Sequence, residues 1–522
     1  MATFRRHGRR CPQAMSSISP DSHSTSAVKP LAGGAAVLLV GRTGARSISY
    51  VLQLVLGRLL GPASYGLYAV GWNLLLIVGL VASLGLEHGV IRFGTDLSAE
   101  DGGRLRRLTM RSLKIAALAG GVAATVLWLL APWLAESVFD KPGLRPVLAV
   151  MAAALLFVPA LRVAAASLRA ALRMVANVIA EDLVQPLVNL VLFLVFWALG
   201  WQLFGALVAT DVSFALALLT ALVFLARGWR RPTEPVGEVA VVGNRELMLF
   251  SLPAALAGML ALVTMWIDRL LVAFFLSAAD TGIYQAASQV AFIFILILNS
   301  FNGIFAPLIS GHFAAGRKKE LNDLYKVSTK WGLYLALPVF LVIVIAPDEV
   351  LGVLLDSRYV VGALPLVVLS VAQLVNLATG AVGFILVMGG RQNSWLLLSG
   401  TALTVNIGLS LYLIPRHGLV GAAVAALLSI VGLFGSALLL VRRWESLWPW
   451  DRRYVKGLVA ALATAGALLL TDRLPIGSPL IHLLALCVVA VVVFAAVLRV
   501  LGPDPEDREL IQLVRGKLGI RQ

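Results

Sequence analysis

Charge is the first thing this chain is short of. Only 13% of its 522 residues are Asp, Glu, Lys or Arg, whereas 59% are hydrophobic and the mean hydropathy is +0.90. A water-soluble protein of that length keeps a large polar shell, so the composition excludes one. Cysteine is nearly absent. Cys11 and Cys487 stand in the N-terminal tail and the last apolar run, which excludes a disulfide framework or a cysteine metal cluster. Catalytic signatures are missing as well: there is no HExxH, P-loop, GxSxG or DxD-type cluster. His482 is the only histidine deep in an apolar run, and one histidine makes no proton relay. The polar segments between apolar runs are short, those near 134–146 and 347–359 being barely a dozen residues, so no separate catalytic domain fits between them. An enzyme is not expected.

What the chain has instead is a series of apolar runs of about 20 residues, the length that crosses a bilayer core of roughly 30 Å. The expected fold is an all-α polytopic membrane protein with about fourteen transmembrane helices. The 43 basic residues exceed the 27 acidic ones, a net charge of +16. Basic clusters recur on every second loop, for example Arg104, Arg106 and Arg107, then Arg227, Arg230 and Arg231, then Arg317, Lys318 and Lys319, then Arg442 and Arg443. That alternation is the positive-inside pattern, with both termini cytoplasmic. It accounts for the excess charge without nucleic acid.

Six divisions follow along the chain. Residues 1–31, rich in Arg, Ser and Pro, read as a disordered basic arm, with the start left open between Met1 and Met15. Residues 32–228 and 247–441 read as two six-helix bundles joined by a cytoplasmic linker at 229–246. Two further spans occupy 442–501. The tail at 502–522 opens with Pro503 and acids, then sets Leu510, Val514 and Leu518 on one face, the pattern of an amphipathic helix.

The two bundles look like a repeat. Leu59–Val70 aligns with Phe275–Ala286 at an offset of 216 residues, matching Leu60 with Leu276, Gly66 with Gly282 and Tyr68 with Tyr284. Repeated bundles around a midplane site are a recurring plan of secondary transporters. Prolines inside the expected spans (Pro159, Pro186, Pro253, Pro307, Pro338, Pro365) remove backbone hydrogen bonds and permit kinks, which suits a moving protein without proving one.

Charges inside the spans carry the chemistry. Arg42, Arg46, Ser49 and Gln53 share one face of the first span. A cation at mid-bilayer costs roughly 2.5 kcal/mol or more, so it faces a wet cavity or a partner. Arg269 corresponds to Gln53 under the offset, and a pseudo-twofold arrangement would bring both stripes to one central cavity. Arginine there suits a phosphate, because its planar fork donates paired hydrogen bonds and keeps its proton. The competing reading is structural, with the arginines satisfied by helix-end carbonyls or buried acids. Asp211 and Asp268 lie within spans, and Glu87 and Asp182 nearer span ends. Two roles stay open for them: charge pairing, or carrying H⁺ or Na⁺ as a coupling ion. Asn73, Gln289, Asn376 and Asn406 read as hydrogen-bonding residues between helices.

The stretch LGRLLGPASYGLYAVGWNLLLIVGLVASLGLEHGVIRF (Leu56–Phe93) and the tail LGPDPEDRELI (Leu501–Ile511) carry a resemblance. They are similar to the first hairpin and closing acidic segment of the polysaccharide and oligosaccharide flippases within the multidrug/oligosaccharidyl-lipid/polysaccharide exporter superfamily. The likeness covers most of the chain in topology and about 50 residues in motif. It implies two bundles around a positively charged lumen, two added helices, and alternating access. It also implies movement of undecaprenyl-pyrophosphate-linked oligosaccharide, a lipopolysaccharide, capsule or exopolysaccharide unit, across a bacterial cytoplasmic membrane. A polysaccharide polymerase and chain-length regulator would be partners, and no cofactor beyond a coupling H⁺ or Na⁺ is implied. Arg42, Arg46 and Arg269 match the lumen charge, although none aligns individually with a substrate ligand. The long basic arm departs from the family pattern. A lipid II flippase is the nearest rival. A drug/cation antiporter is disfavoured by the arginines, and a glycan polymerase or ligase by the short loops.

Overall fold

The computed structural model describes residues 24–100, 102–229, 243–475 and 477–502, with Asp504 and Asp507. Most of the basic arm, most of the linker and most of the amphipathic tail lie outside the described residues, as does the side chain of Arg42.

The N-terminal half begins with α1 (Ser24–Ala82), α2 (Leu86–Glu100), α3 (Gly102–Trp133) and α4 (Leu144–Met151). It continues through α5 (Val158–Ala170), α6 (Met174–Asn177), α7 (Gln185–Ala198) and α8 (Gln202–Gly228). The C-terminal half opens with α9 (Asn244–Phe275), α10 (Ala278–Ala291), α11 (Ile293–Ala314) and α12 (Lys318–Ile345). It closes with α13 (Pro347–Leu354), α14 (Ala363–Thr379), α15 (Val382–Met388) and α16 (Gln392–Glu445). An added pair, α17 (Tyr454–Asp472) and α18 (Pro479–Val500), packs against α12.

Among the described residues there is no strand, and eleven helical segments are long and apolar enough to cross a membrane. Helices dominate because lipid offers no partner for backbone amides, and a helix satisfies them within one segment. The protein is therefore a multi-pass helical membrane protein. Two of the long segments are broken by a glycine with non-helical backbone: α1 at Gly61 and α16 at Gly418. The apolar runs of the sequence divide at the same points, into expected spans 34–57 and 65–86 around Gly61 and 394–414 and 418–440 at Gly418. Gly61 adopts φ 73°, a left-handed conformation that costs glycine little, and Pro62 then supplies a φ already suited to restarting the helix. Any side chain at Gly61 would also run into the guanidinium of Arg358.

The core is continuous from one half to the other. Leu52, Leu56, Tyr65 and Tyr68 from α1 cluster with Val272, Tyr284, Ala287 and Tyr359 from the second half, all buried. Two ends of the molecule can be told apart by chemistry. The turn end holds the Gly61 turn, and the basic end holds the arginine and lysine clusters.

Candidate functional site

The two halves meet first at a crossing of α1 and α10. A Cβ added at Gly66 would collide with the carbonyl oxygen of Ala278, and one at Gly282 with the carbonyl oxygen of Pro62. Under the 216-residue offset Gly66 corresponds to Gly282 and Pro62 to Ala278, so the contact is reciprocal, as a local twofold axis between the two glycines requires. Only glycine lets two backbones approach this closely. Other bonds close the same seam. Tyr359 Oη donates to the Gly57 carbonyl at 2.6 Å, and Arg58 Nη1 donates to the Val353 carbonyl at 2.9 Å. Lys141 Nζ, from the loop before α4, donates to the Ala273 carbonyl of α9. Burial holds the Lys141 ammonium below its usual range, against the opposing pull of Asp140 and Asp280.

At the basic end the halves touch again, where Gly85 and Gly89 lie against Ser251 and Leu247 of α9. The two halves are thus in contact near both ends of the molecule.

A cavity of about 350 Å³ lies within the C-terminal half, between α9, α10, α14 and α16. Arg269 lines it at 8% exposure, its guanidinium 4.4 Å from the centre of the Trp266 ring. That stacking suits a cation in a low-dielectric setting. Asp268 also lines the cavity and accepts a hydrogen bond from Tyr284 Oη at 2.9 Å. Gln373, Asn376 and Asn406 add polar groups, and Trp395 adds an aromatic wall. The result is an intramembrane chamber with one fixed cation, one acid and several amides, able to hold an anionic or sugar-bearing group by charge-assisted and neutral hydrogen bonds.

The remaining expected site residues lie elsewhere. Arg46 is exposed on α1, and Ser49 bonds back to the Ala45 carbonyl. Gln53 is half-buried and accepts from Tyr65 Oη at 3.1 Å. Neither Arg46 nor Gln53 lines the cavity that holds Arg269. Asp211 sits half-buried on α8 beside Thr210, whose hydroxyl is 3.1 Å from Tyr68 Oη. Other intramembrane acids are paired: Glu87 Oε1 is 3.7 Å from Arg162 Nη1 and Glu181 Oε2 is 3.7 Å from Arg169 Nη1.

Three features escape a linear reading. The Tyr68 and Tyr284 hydroxyls reach Thr210 and Asp268, partners that only the fold brings near; the repeated Tyr marks the positions but not the bonds. Buried Lys330 on α12 is held by Asp504 at 3.0 Å and Asp507 at 2.8 Å, and Asp507 also accepts from Trp331 Nε1 at 2.8 Å. Lys456 adds a 2.6 Å contact to Asp504. The acidic start of the tail is thereby clamped onto α12 and α17. His482 Nδ1 lies 2.7 Å from Glu349 Oε1, with Asp472 nearby, the three ligand atoms falling within 4.8 Å of one another. This contact staples α18 to α13 and α17.

A two-lobed, internally repeated helical bundle with a cavity holding Arg269 and Asp268 defines the class: a multi-pass helical membrane fold. Residues 55–363, more than half of the chain, match the model of the family described as polysaccharide biosynthesis protein, and the chain belongs to that family. Two curated proteins of Haloferax volcanii are similar. One, described as the probable low-salt glycan biosynthesis flippase Agl15, is 22% identical over 208 residues, 40% of this chain and 44% of that protein. The other, the probable flippase AglR, is 28% identical over 227 residues, 41% of this chain and 46% of that protein. The chain thus matches under half the length of these relatives. Among solved structures, the lipid II flippase MurJ in an inward closed conformation superposes with a TM-score of 0.71 at 12% identity, covering 90% of this chain and 99% of that one. An inward-facing multidrug resistance MATE family transporter gives 0.63 at 17% identity, with 78% and 98% covered. These likenesses show a shared fold.

Proposed function

We propose that this protein flips a lipid-linked oligosaccharide from one membrane leaflet to the other by alternating access of its two lobes. The observation that carries the reading is the buried Arg269, held with Asp268 and a few amides in a largely apolar cavity inside a membrane bundle of the polysaccharide biosynthesis family. A pyrophosphate bearing sugars is the anionic, hydrogen-bonding group such a chamber would take. Both curated relatives carry the word flippase in their descriptions, which supports the reading and argues against an enzyme. The proposed substrate is an undecaprenyl-pyrophosphate-linked repeat unit of O-antigen, capsule or exopolysaccharide, moved from the cytoplasmic to the outer leaflet of a bacterial inner membrane. The basic end would then be cytoplasmic by the positive-inside pattern. In that role the protein would hand its cargo to a polymerase and chain-length regulator on the far side. The ligand drives the switch only through differential affinity for the two states, and H⁺ or Na⁺ at Asp268 or Asp211 is the proposed source of bias.

The test is transbilayer movement of labelled undecaprenyl-pyrophosphate oligosaccharide in proteoliposomes, wild type against Arg269→Ala and Arg46→Ala. Loss of movement in a folded Arg269→Ala supports the chamber as the substrate path. Normal movement in that variant makes Arg269 structural. Movement of lipid II in preference to the oligosaccharide would replace the substrate while leaving the transport mechanism.

A further inference from the structure

One face of α3 changes character along its length. Near the basic end Arg107, Arg111 and Lys114 border an open recess of about 370 Å³. One turn further on, the same face continues as Leu118, Val122, Val126 and Leu130, with exposures of 72%, 57%, 47% and 42%. The spacing of these positions, three or four residues apart throughout, makes them one uninterrupted stripe. Val78 and Val81 of α1 form the facing wall, and together the two helices enclose a groove of about 670 Å³ lined only by Leu, Ile, Val and Ala. The surface is thus a cationic recess followed, one turn along α3, by an open apolar groove on the N-terminal lobe.

The groove is longer than one leaflet is deep. From Ile115 to Leu130 the α3 wall runs about 22 Å at 1.5 Å per residue. One leaflet of a bilayer core of roughly 30 Å is about 15 Å deep. A phospholipid acyl chain anchored at the basic end would cover about two thirds of the groove, and a second chain from the opposite leaflet would have to cover the rest. A long isoprenoid chain would fill it, and its phosphate would lie among three cations. Arginine forks and a lysine ammonium in one recess suit a phosphate or diphosphate head.

We infer that this groove is the docking site of a polyprenyl phosphate or diphosphate lipid, its head on Arg107, Arg111 and Lys114 and its chain between α1 and α3. The inference rests on the lipid-linked reading of the function and gives it a place for the chain. The carrier lies along the N-terminal lobe rather than loose in the bilayer between the lobes. Its head group is held in the leaflet at the basic end before the sugars enter the bundle.

The experiment uses the full chain in nanodiscs with a polyprenyl monophosphate carrying a photoreactive group at the chain end, followed by peptide mapping of the adduct. The expected adducts fall within 118–130 of α3 and within 74–84, the end of α1 and the turn that follows it. Labelling should fall at least about tenfold in the triple variant Arg107→Gln, Arg111→Gln, Lys114→Gln, the loss expected from one charge-assisted hydrogen bond or more. Val122→Trp, which fills the groove without touching the charges, should reduce labelling similarly. Leu194→Trp, on the exposed face of α7, should leave it unchanged and controls for folding. Adducts that map to α17 and α18 or to another surface overturn the groove and leave the transport reading intact. Displacement of the probe by phosphatidylglycerol at equal concentration overturns it too, reducing the groove to an ordinary phospholipid site. Absence of any polyprenyl adduct on the protein overturns both the groove and the lipid-linked function.

Discussion

The two junctions that cross at the molecule's pseudo-twofold occupy equivalent positions and are built differently. In the N-terminal half the chain turns through Gly61 and Pro62, using a left-handed glycine and a preset proline. In the C-terminal half the same turn is made by Ser277, whose hydroxyl accepts from the Asp280 amide at 3.1 Å while Asp280 bonds back to the Ser277 amide at 3.3 Å. Both give a helix that starts in the same register and presents a glycine, Gly66 or Gly282, to its counterpart. The charge around the two crossings differs more. The first half sets Gln53 and Leu52 where the second sets Arg269 and Asp268. Tyr68 meets a neutral threonine, whereas Tyr284 meets a carboxylate. The shared positions thus carry the contact between lobes, and the unshared ones carry the charge. The glycine crossing is therefore symmetric, whereas Arg269 and Asp268 have no charged counterpart at the equivalent positions of the first half.

Breaking the symmetric part should have the largest effect. Gly66→Leu or Gly282→Leu drives a side chain into a backbone carbonyl that moves only if the lobes part. Such overpacking costs about 1–3 kcal/mol or more. Transport should be lost, and the distance between spin labels at Asp140 and Ser357, one on each lobe at the turn end, should lengthen and broaden. An unchanged distance distribution in a folded variant would show that the glycine crossing does not hold the seam.

The asymmetric part is tested by paired substitutions at equivalent positions. Arg269→Ala should slow flipping about ten- to a hundredfold, the loss of one or two charge-assisted hydrogen bonds, while Gln53→Ala changes it little. Equal losses in the two variants, measured as initial rates in proteoliposomes, would sink the idea that one lobe carries the charge. On stability the contrast is smaller. Tyr284→Phe removes a bond to a charged group and should cost about 1.5–3 kcal/mol, against about 1 kcal/mol for Tyr68→Phe, read by thermal unfolding in detergent.

The smallest effect concerns pH. Burial pushes the Asp504 carboxyl up, but hydrogen bonds from Lys456 and Lys330 outweigh it and hold the group below its usual value of 3.8. A carboxyl lowered in the folded state contributes stability that is fully present above the unfolded value and is lost as pH falls through the folded one. The clamp on Lys330 should therefore hold at neutral pH and release only below about pH 3.8. Trp331, whose indole donates to Asp507, reports the release by fluorescence. Asp504→Asn should abolish the acid transition, and its persistence there would assign it to another group.

Much of the architecture is legible in the sequence alone. Apolar runs and alternating basic loops define a helical membrane protein because lipid thickness and loop charge act on local sequence. The breaks near Gly61 and Gly418 were legible for the same reason, since glycine and proline disturb the backbone where they stand. The 216-residue match likewise anticipates that Gly66 and Gly282 are equivalent. It does not reveal that they touch. The site was legible only in part. Arg269 and Asp268 could be picked out because a charge in an apolar run is costly. The expected sharing of one cavity by Arg46, Gln53 and Arg269 depends on how the helices rotate and pack, and the cavity described holds Arg269 and Asp268 with residues of its own half. Lys330 and its tail acids are separated by more than 170 residues, and no local pattern joins them.

Composition and periodicity by themselves determined the class and the membrane setting, because both follow from the transfer of local segments into lipid. Tertiary structure alone decided which helix faces meet, which acid answers which base, and where a chamber or a groove opens. Those outcomes depend on side chains far apart in sequence competing for the same few buried partners.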